Sequence, residues 1–141
     1  MDRIKLEFDA ISENEGFARV CVAAFATRLD PTLEEVNDIK TAVSEAVTNS
    51  VIHGYGKKGG LITLTAEIEK NTLKVVIEDN GCGIADVHRA MEPMFTTGAE
   101  DERSGMGFTF MEVFMDELDV QSSPGNGTVV TMIKRIGQEA K

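Results

Sequence analysis

Apolar and polar residues alternate at the start of the chain. Ile4, Leu6 and Phe8 are separated by Lys5 and Glu7, which predicts a short strand with one buried face. The period then changes: Phe17, Val20, Cys21, Ala24 and Phe25 recur at helical spacing. Ser12 with Glu15 reads as the capping box of that helix, and Pro31 closes the helix or its loop. A second box, Thr32 with Glu35, opens another helix with the stripe Val36, Ile39, Val43, Ala46, Val47 and Ser50, which Gly54 is placed to end. Strand-like runs follow from Leu61 to Ile68 and from Leu73 to Glu78, with Asn71-Thr72 as the turn of an antiparallel hairpin.

Glycines crowd the region from Asp79 to Gly107. The pattern predicts a loop, a short helix near Val87 to Met91, and a long mobile segment from about Glu92 to Ser104. A loop that long inside a small domain is usually functional or disordered. Phe108, Met111, Met115 and Leu118 predict a third main helix. Strands at about Leu118 to Ser122 and Thr128 to Ile133, joined by Ser123-Pro124-Gly125-Asn126-Gly127, complete the series. The order predicts an α+β fold: a two-layer α/β sandwich with helices on one face of a mostly antiparallel sheet.

Composition narrows the function classes. The 141 residues fit one domain, with 42% hydrophobic and 27% charged residues, an ordinary globular balance. The net charge of -10 argues against a broad basic face for nucleic acid or anionic membrane. The longest apolar run, Val20 to Ala26, is far short of the roughly 20 residues of a membrane helix, and the N-terminus does not read as a signal peptide. Two cysteines, Cys21 and Cys82, are too few for a disulfide framework, which points to reduced thiols and a cytoplasmic location.

Three clusters could carry chemistry. Glu45, Asn49 and His53 are spaced i, i+4, i+8 on the second helix, so they share a face. A carboxylate and a carboxamide one turn apart suit a proton acceptor and a Mg²⁺ ligand, although a solvated polar face would look the same. Asp79, at a strand end, precedes Gly81-Cys82-Gly83. Glycines there let backbone approach a flat ligand, and a carboxylate could accept from the 6-amino group of adenine while rejecting guanine. A self-capping aspartate turn is the plainer alternative. Arg103-Ser104-Gly105-Met106-Gly107-Phe108 is expected to lead into the third helix, where glycines would expose N–H groups at the positive end of the macrodipole. The plainer alternative there is a flexible connector.

Absences matter too. There is no Gly-x4-Gly-Lys-Ser/Thr, no dinucleotide-spaced third glycine and no protein-kinase catalytic loop. Two histidines and two separated cysteines make a zinc site a poor fit.

Together and in this order the clusters resemble the GHKL ATP-binding superfamily. Glu45 to Tyr55 is similar to its N box, Asp79-Asn80-Gly81-Cys82-Gly83 to its G1 box, Gly105-Met106-Gly107 to its G2 box, and Gly127-Thr128 to its late Gly-Thr. Glu-Ala-Val-Thr-Asn-Ser-Val-Ile-His-Gly-Tyr, Met-Phe-Thr-Thr and Glu-Arg-Ser-Gly-Met-Gly-Phe-Thr resemble the anti-sigma factor serine kinases within it. The resemblance implies ATP/ADP and Mg²⁺ as ligands. Glu45 would be the general base, Asn49 the Mg²⁺ ligand, and Asp79 the adenine contact supported by Thr128. Gly81 and Gly83 would let the loop pass the nucleotide. The segment from about Glu92 to Ser104, with Thr97, would form a lid; Arg103 would meet the γ-phosphate; and Ser104, Gly105, Met106, Gly107 and Phe108 would wrap the phosphates. Gly98 stands where many relatives carry lysine, which removes a possible lid cation.

The resemblance further implies two protein partners, a sporulation sigma factor (sigma F) and an anti-anti-sigma protein phosphorylated on serine, with Arg19 contacting both. It implies a homodimer through the first strand and the neighbouring helix face. Alternatives are the same chemistry acting on the general stress sigma factor, or a nucleotide-gated binding module without kinase activity.

Overall fold

The computed structural model describes residues 1–56, 58–84 and 102–137, with the side chains of 102–107 excepted. The expected helix near Val87 to Met91, the lid from Glu92 to residue 101, Thr97 and Gly98 lie outside the described residues. The elements are β1 (Asp2–Asp9), α1 (Glu13–Ala26), a 3-10 turn (Thr27–Leu29), α2 (Leu33–Asn49), a π turn (Ser50–Gly54), β2 (Leu61–Glu69), β3 (Thr72–Asp79), α3 (Glu102–Phe114), β4 (Glu117–Ser122) and β5 (Thr128–Arg135). Five strands form one antiparallel sheet in the order β1-β2-β3-β5-β4. The expected α+β sandwich is the observed architecture.

Strand alternation sets the core. Ile62, Leu64 and Ala66 of β2, Leu73, Val75 and Ile77 of β3, and Val130 and Met132 of β5 are buried, while their sequence neighbours point to the other face. Against them α2 lays Ile39, Ala42, Val43, Ala46 and Val47, and α3 adds Phe108 and Met111. Each fully buried Ile, Leu, Val or Met contributes about 1.5–3 kcal/mol relative to exposure. The α2 stripe read from the sequence is therefore the observed one, apart from a half-buried Val36.

The stripe of α1 is rotated from expectation. Ala18, Val22, Phe25 and Ala26 are buried, whereas Phe17 and Val20 are each 57% exposed. Large apolar residues misled the reading, because close packing of α1 on α2 selects the small Ala18 and Ala26 instead.

The two helix starts also differ. Thr32 accepts from the Glu35 N–H at 3.1 Å while the Glu35 carboxylate accepts from the Thr32 N–H at 2.9 Å, so this capping box is formed. Ser12 is already in helical conformation and its side chain caps nothing, so the expected first box is absent. Glu15 turns to Arg19 instead. Burial pushes the Glu35 carboxyl up, but the Thr32 and Gly137 N–H groups, the Thr32 hydroxyl and nearby Lys134 outweigh it and hold its pKa below the usual value.

Helix α3 begins earlier than expected and takes in Arg103 to Gly107. The hydrogen bonds of an α-helix occupy the N–H groups from its fifth residue onward, so Met106 and Gly107 donate within the helix rather than lying open before it. At the other end, buried Lys134 of β5 donates to the Phe114 carbonyl at 2.7 Å and lies 3.5 Å from the Asp38 carboxylate of α2. A cation at a helix C-terminus is favourably placed against the macrodipole.

Thr32→Ala is expected to cost about 1 kcal/mol of unfolding free energy, the usual worth of an N-cap, and Ser12→Ala less than about 0.5 kcal/mol. Denaturant unfolding of the two variants checks this; equal losses would contradict the asymmetry.

Candidate functional site

Asp79 closes β3 and is buried. Its carboxylate accepts from the Gly81 N–H at 2.9 Å, from the Ser50 hydroxyl and from the Thr128 N–H. Burial is the largest influence and raises its pKa; the three donors oppose it without cancelling it. Thr128 is the register partner of Asp79 across β3 and β5, and it too is buried. Asp79 and Thr128 are thus brought together as the sequence implied.

The loop after Asp79 runs between two other segments. A Cβ on Gly81 would overlap the Gly54 carbonyl, and one on Gly83, whose φ is 77°, would overlap the Ser123 carbonyl. Backbone bonds fix the sandwich: the Cys82 N–H donates to the Gly54 carbonyl at 2.7 Å, and the Gly125 N–H donates to the Cys82 carbonyl at 2.7 Å. The two glycines are needed here for close backbone approach. The Cys82 thiol is exposed and lies 3.1 Å from the His53 carbonyl, as its donor.

Three residues of this cradle escaped the sequence reading. Ser50 was placed in an apolar stripe; the signal was a hydroxyl at a core position, where it needs a partner. The Tyr55 hydroxyl accepts from the Asn80 N–H at 2.7 Å and donates to the Leu61 carbonyl at 2.6 Å, tying the end of the π turn to both β2 and the Asp79 loop. Ser122 of β4 accepts from the Ile84 N–H at 2.7 Å. Nothing in the local sequence singles it out.

Glu45 and Asn49 lie one turn apart on α2, both half-buried. The π turn begins directly after Asn49, so His53 does not continue the i, i+4 series on an α-helical path. Such turns are frequent at functional sites, and this one brings Ser50 and Gly54 to the Asp79 carboxylate. On the outer side, α1 and α2 enclose a cleft of about 280 Å³ lined by Ser12, Glu15, Arg19, Ser44, Glu45 and Thr48 among others. Glu45 and Arg19 therefore share a cleft, with Arg19 paired to Glu15 at 2.9 Å. The Ser44 hydroxyl oxygen is buried beside them with no hydrogen-bond partner among the described residues.

Of the remaining sequence candidates, Arg103, Ser104, Gly105, Met106 and Gly107 fall in the first turns of α3. Phe108 is a buried core residue whose ring is committed to packing, and as the seventh residue of α3 its N–H donates within the helix, so the phosphate contact expected of it is not offered here. Among the described residues, no group of three His, Cys, Asp or Glu side chains could hold a metal ion. None of the described helices is long and apolar enough to cross a membrane.

A buried carboxylate beside a glycine-lined loop thus lies against the turn that follows a helix bearing Glu and Asn one turn apart. The model of the histidine kinase-like ATPase domain family matches residues 9–134. Proteins named anti-sigma F factor are similar along nearly all of the chain. That of Thermoanaerobacter sp. (strain X514) is 57% identical over 96% of this chain and 95% of its own. That of Caldanaerobacter subterraneus subsp. tengcongensis is 58% identical over 96% and 94%. This chain belongs to the anti-sigma F factor family of histidine kinase-like ATPase domains.

Solved structures agree on the fold. The RsbU and RsbW domains of a Mycobacterium tuberculosis protein superpose with a TM-score of 0.71 at 19% identity, covering 100% of this chain and 34% of that one. The catalytic domain of histidine kinase ThkA does so with a TM-score of 0.52 at 15% identity, covering 96% and 97%.

The raised pKa of Asp79 has a definite sign. Above the ordinary value of 3.8 the unfolded chain loses this proton while the folded protein still holds it, so its contribution to stability is full below that pH and is lost as pH rises through the folded value. An NMR titration of the carboxyl carbon is expected to give a midpoint above 3.8. A midpoint at or below that value would mean that the three donors outweigh burial.

Proposed function

We propose that this chain is an ATP-dependent protein-serine kinase, acting as one nucleotide-binding domain across its length. In this reading it binds and inhibits sigma F and phosphorylates its anti-anti-sigma antagonist. The observation that carries the reading is the shared use of α2. The helix carries Glu45 in the cleft with Arg19, then Asn49, then the π turn that supports Asp79. One rigid element thus spaces a base, a metal ligand and an adenine-reading carboxylate.

The roles follow from chemistry. Asp79, with Thr128 beside it, accepts from the adenine amine. Gly81 and Gly83 let the loop pass the base, and Arg103 with the Ser104 and Gly105 N–H groups of the first turn of α3 and the Thr97 segment serves the phosphates. Asn49 offers an uncharged oxygen to Mg²⁺; with few protein ligands, the ion would be held mainly by phosphate oxygens and water, as is usual for this metal. Mg²⁺ would neutralise phosphate charge. Glu45 accepts the serine proton as the serine oxygen attacks the γ-phosphorus and ADP departs, a reaction in which positioning and electrostatics supply most of the rate. Arg19 is the contact for both protein partners, and its ion pair with Glu15 holds it at the mouth of the cleft. A second copy would add at β1, which is an outer strand of the sheet and offers unpaired backbone groups.

Glu45→Gln is expected to keep ATP binding and lose at least ~100-fold in phosphotransfer to the anti-anti-sigma protein, the range of a general base. Calorimetry and a phosphoserine assay measure the two halves. Transfer at the normal rate would remove Glu45 from the role; no phosphoserine from the unaltered protein would leave a nucleotide-gated binding module.

A further inference from the structure

The proton inventory around Ser122 points to a specificity function. The Ser122 hydroxyl oxygen has three neighbours: the Ile84 N–H at 2.7 Å, the Gly127 carbonyl at 2.7 Å and the Thr128 hydroxyl at 2.9 Å. A serine hydroxyl has one proton and two acceptor sites. The Ile84 N–H can only donate, and the Gly127 carbonyl can only accept. Ser122 must therefore give its single proton to Gly127. The proton between the two hydroxyls then belongs to Thr128, and Ser122 is fully satisfied with two bonds accepted and one donated.

This settles the polarity of Thr128. Its hydroxyl proton is committed to Ser122, so its oxygen can only accept from anything else. The Thr128 backbone N–H, not its hydroxyl, serves the Asp79 carboxylate. The buried pair Asp79 and Thr128 therefore offers acceptors alone.

We propose that Ser122 is a positioning residue that determines base specificity: by holding the Thr128 proton it keeps the pocket purely accepting, tuned to a 6-amino purine and closed to a 6-oxo purine. The inference rests on the adenine site proposed above and adds to it a residue with no ligand contact of its own. Without Ser122 the Thr128 hydroxyl can rotate and donate, which a 6-oxo group would accept.

The probes are ATP and inosine triphosphate, which carries a 6-oxo group and lacks the 2-amino group of guanine. Calorimetry gives the ratio of their affinities. Ser122→Ala is expected to lower the preference for ATP by roughly tenfold, since buried polar groups left unpaired are the main source of such discrimination. Ser122→Thr, which keeps a hydroxyl, should retain the preference. In a Thr128→Val background the Ser122→Ala change should leave the ratio unmoved, because its effect runs through the Thr128 hydroxyl.

A wild-type ratio in Ser122→Ala, or an equal drop with and without the Thr128 hydroxyl, would overturn the proposal; the latter would mean general loosening of the loop. Should Ser122→Ala fail to fold, Ser122→Cys takes its place: a thiol is a weak acceptor, so the Thr128 proton should be released and the preference for ATP lowered, and a wild-type ratio there would overturn the proposal. An unaltered protein that binds ATP no better than inosine triphosphate would instead overturn the adenine site itself.

Discussion

A carboxylate taken out of water at the end of β3 organises one end of the molecule. Burial of Asp79 is tolerable because three donors converge on it, one local and two from distant stretches: Gly81 from its own loop, Ser50 from the π turn and Thr128 from β5. Each donor fixes a segment. The π turn is fixed further by Tyr55, the loop by Gly54 and Gly125, and the β4–β5 turn by Ser122. The result is a polar cradle built before any ligand arrives, which is the economical condition for selective recognition.

The same helix that serves the cradle faces outward to α1. Its inner side is a run of Ile, Val and Ala against the sheet, so its axis is held by packing rather than by polar contacts. Glu45 and Asn49 take their separation from that rigid rod, whereas Arg19 comes from a second helix packed across it. A reaction needing a base, a metal ligand and a docking cation in fixed relation is well served by such a frame.

The sequence made most of this visible where periodicity was strong. Strand alternation located all five strands, and the α2 stripe named the buried residues almost without error. The Asp79 cluster was visible because Gly-x-Gly after a strand has few structural uses. Failures had specific causes. Ser12 and Glu15 have the spacing of a cap, but Glu15 pairs with Arg19 and the chain enters the helix without one. Phe17 and Val20 have core chemistry on an outward face. Ser50, Tyr55 and Ser122 act through partners between 5 and 38 residues away, contacts that no local pattern encodes.

Lys134 has a mechanical consequence. It ties the last turn of α3 to β5 and, through Asp38, to α2, while the helix runs back from there for 13 residues. At 1.5 Å per residue the rod is about 20 Å long, so a tilt of roughly 10° about the tethered end carries Glu102 through about 3 Å. Phe108 and Met111, both buried in the core, hold the rod between that tether and its far tip, so the start of α3 is aimed from the core.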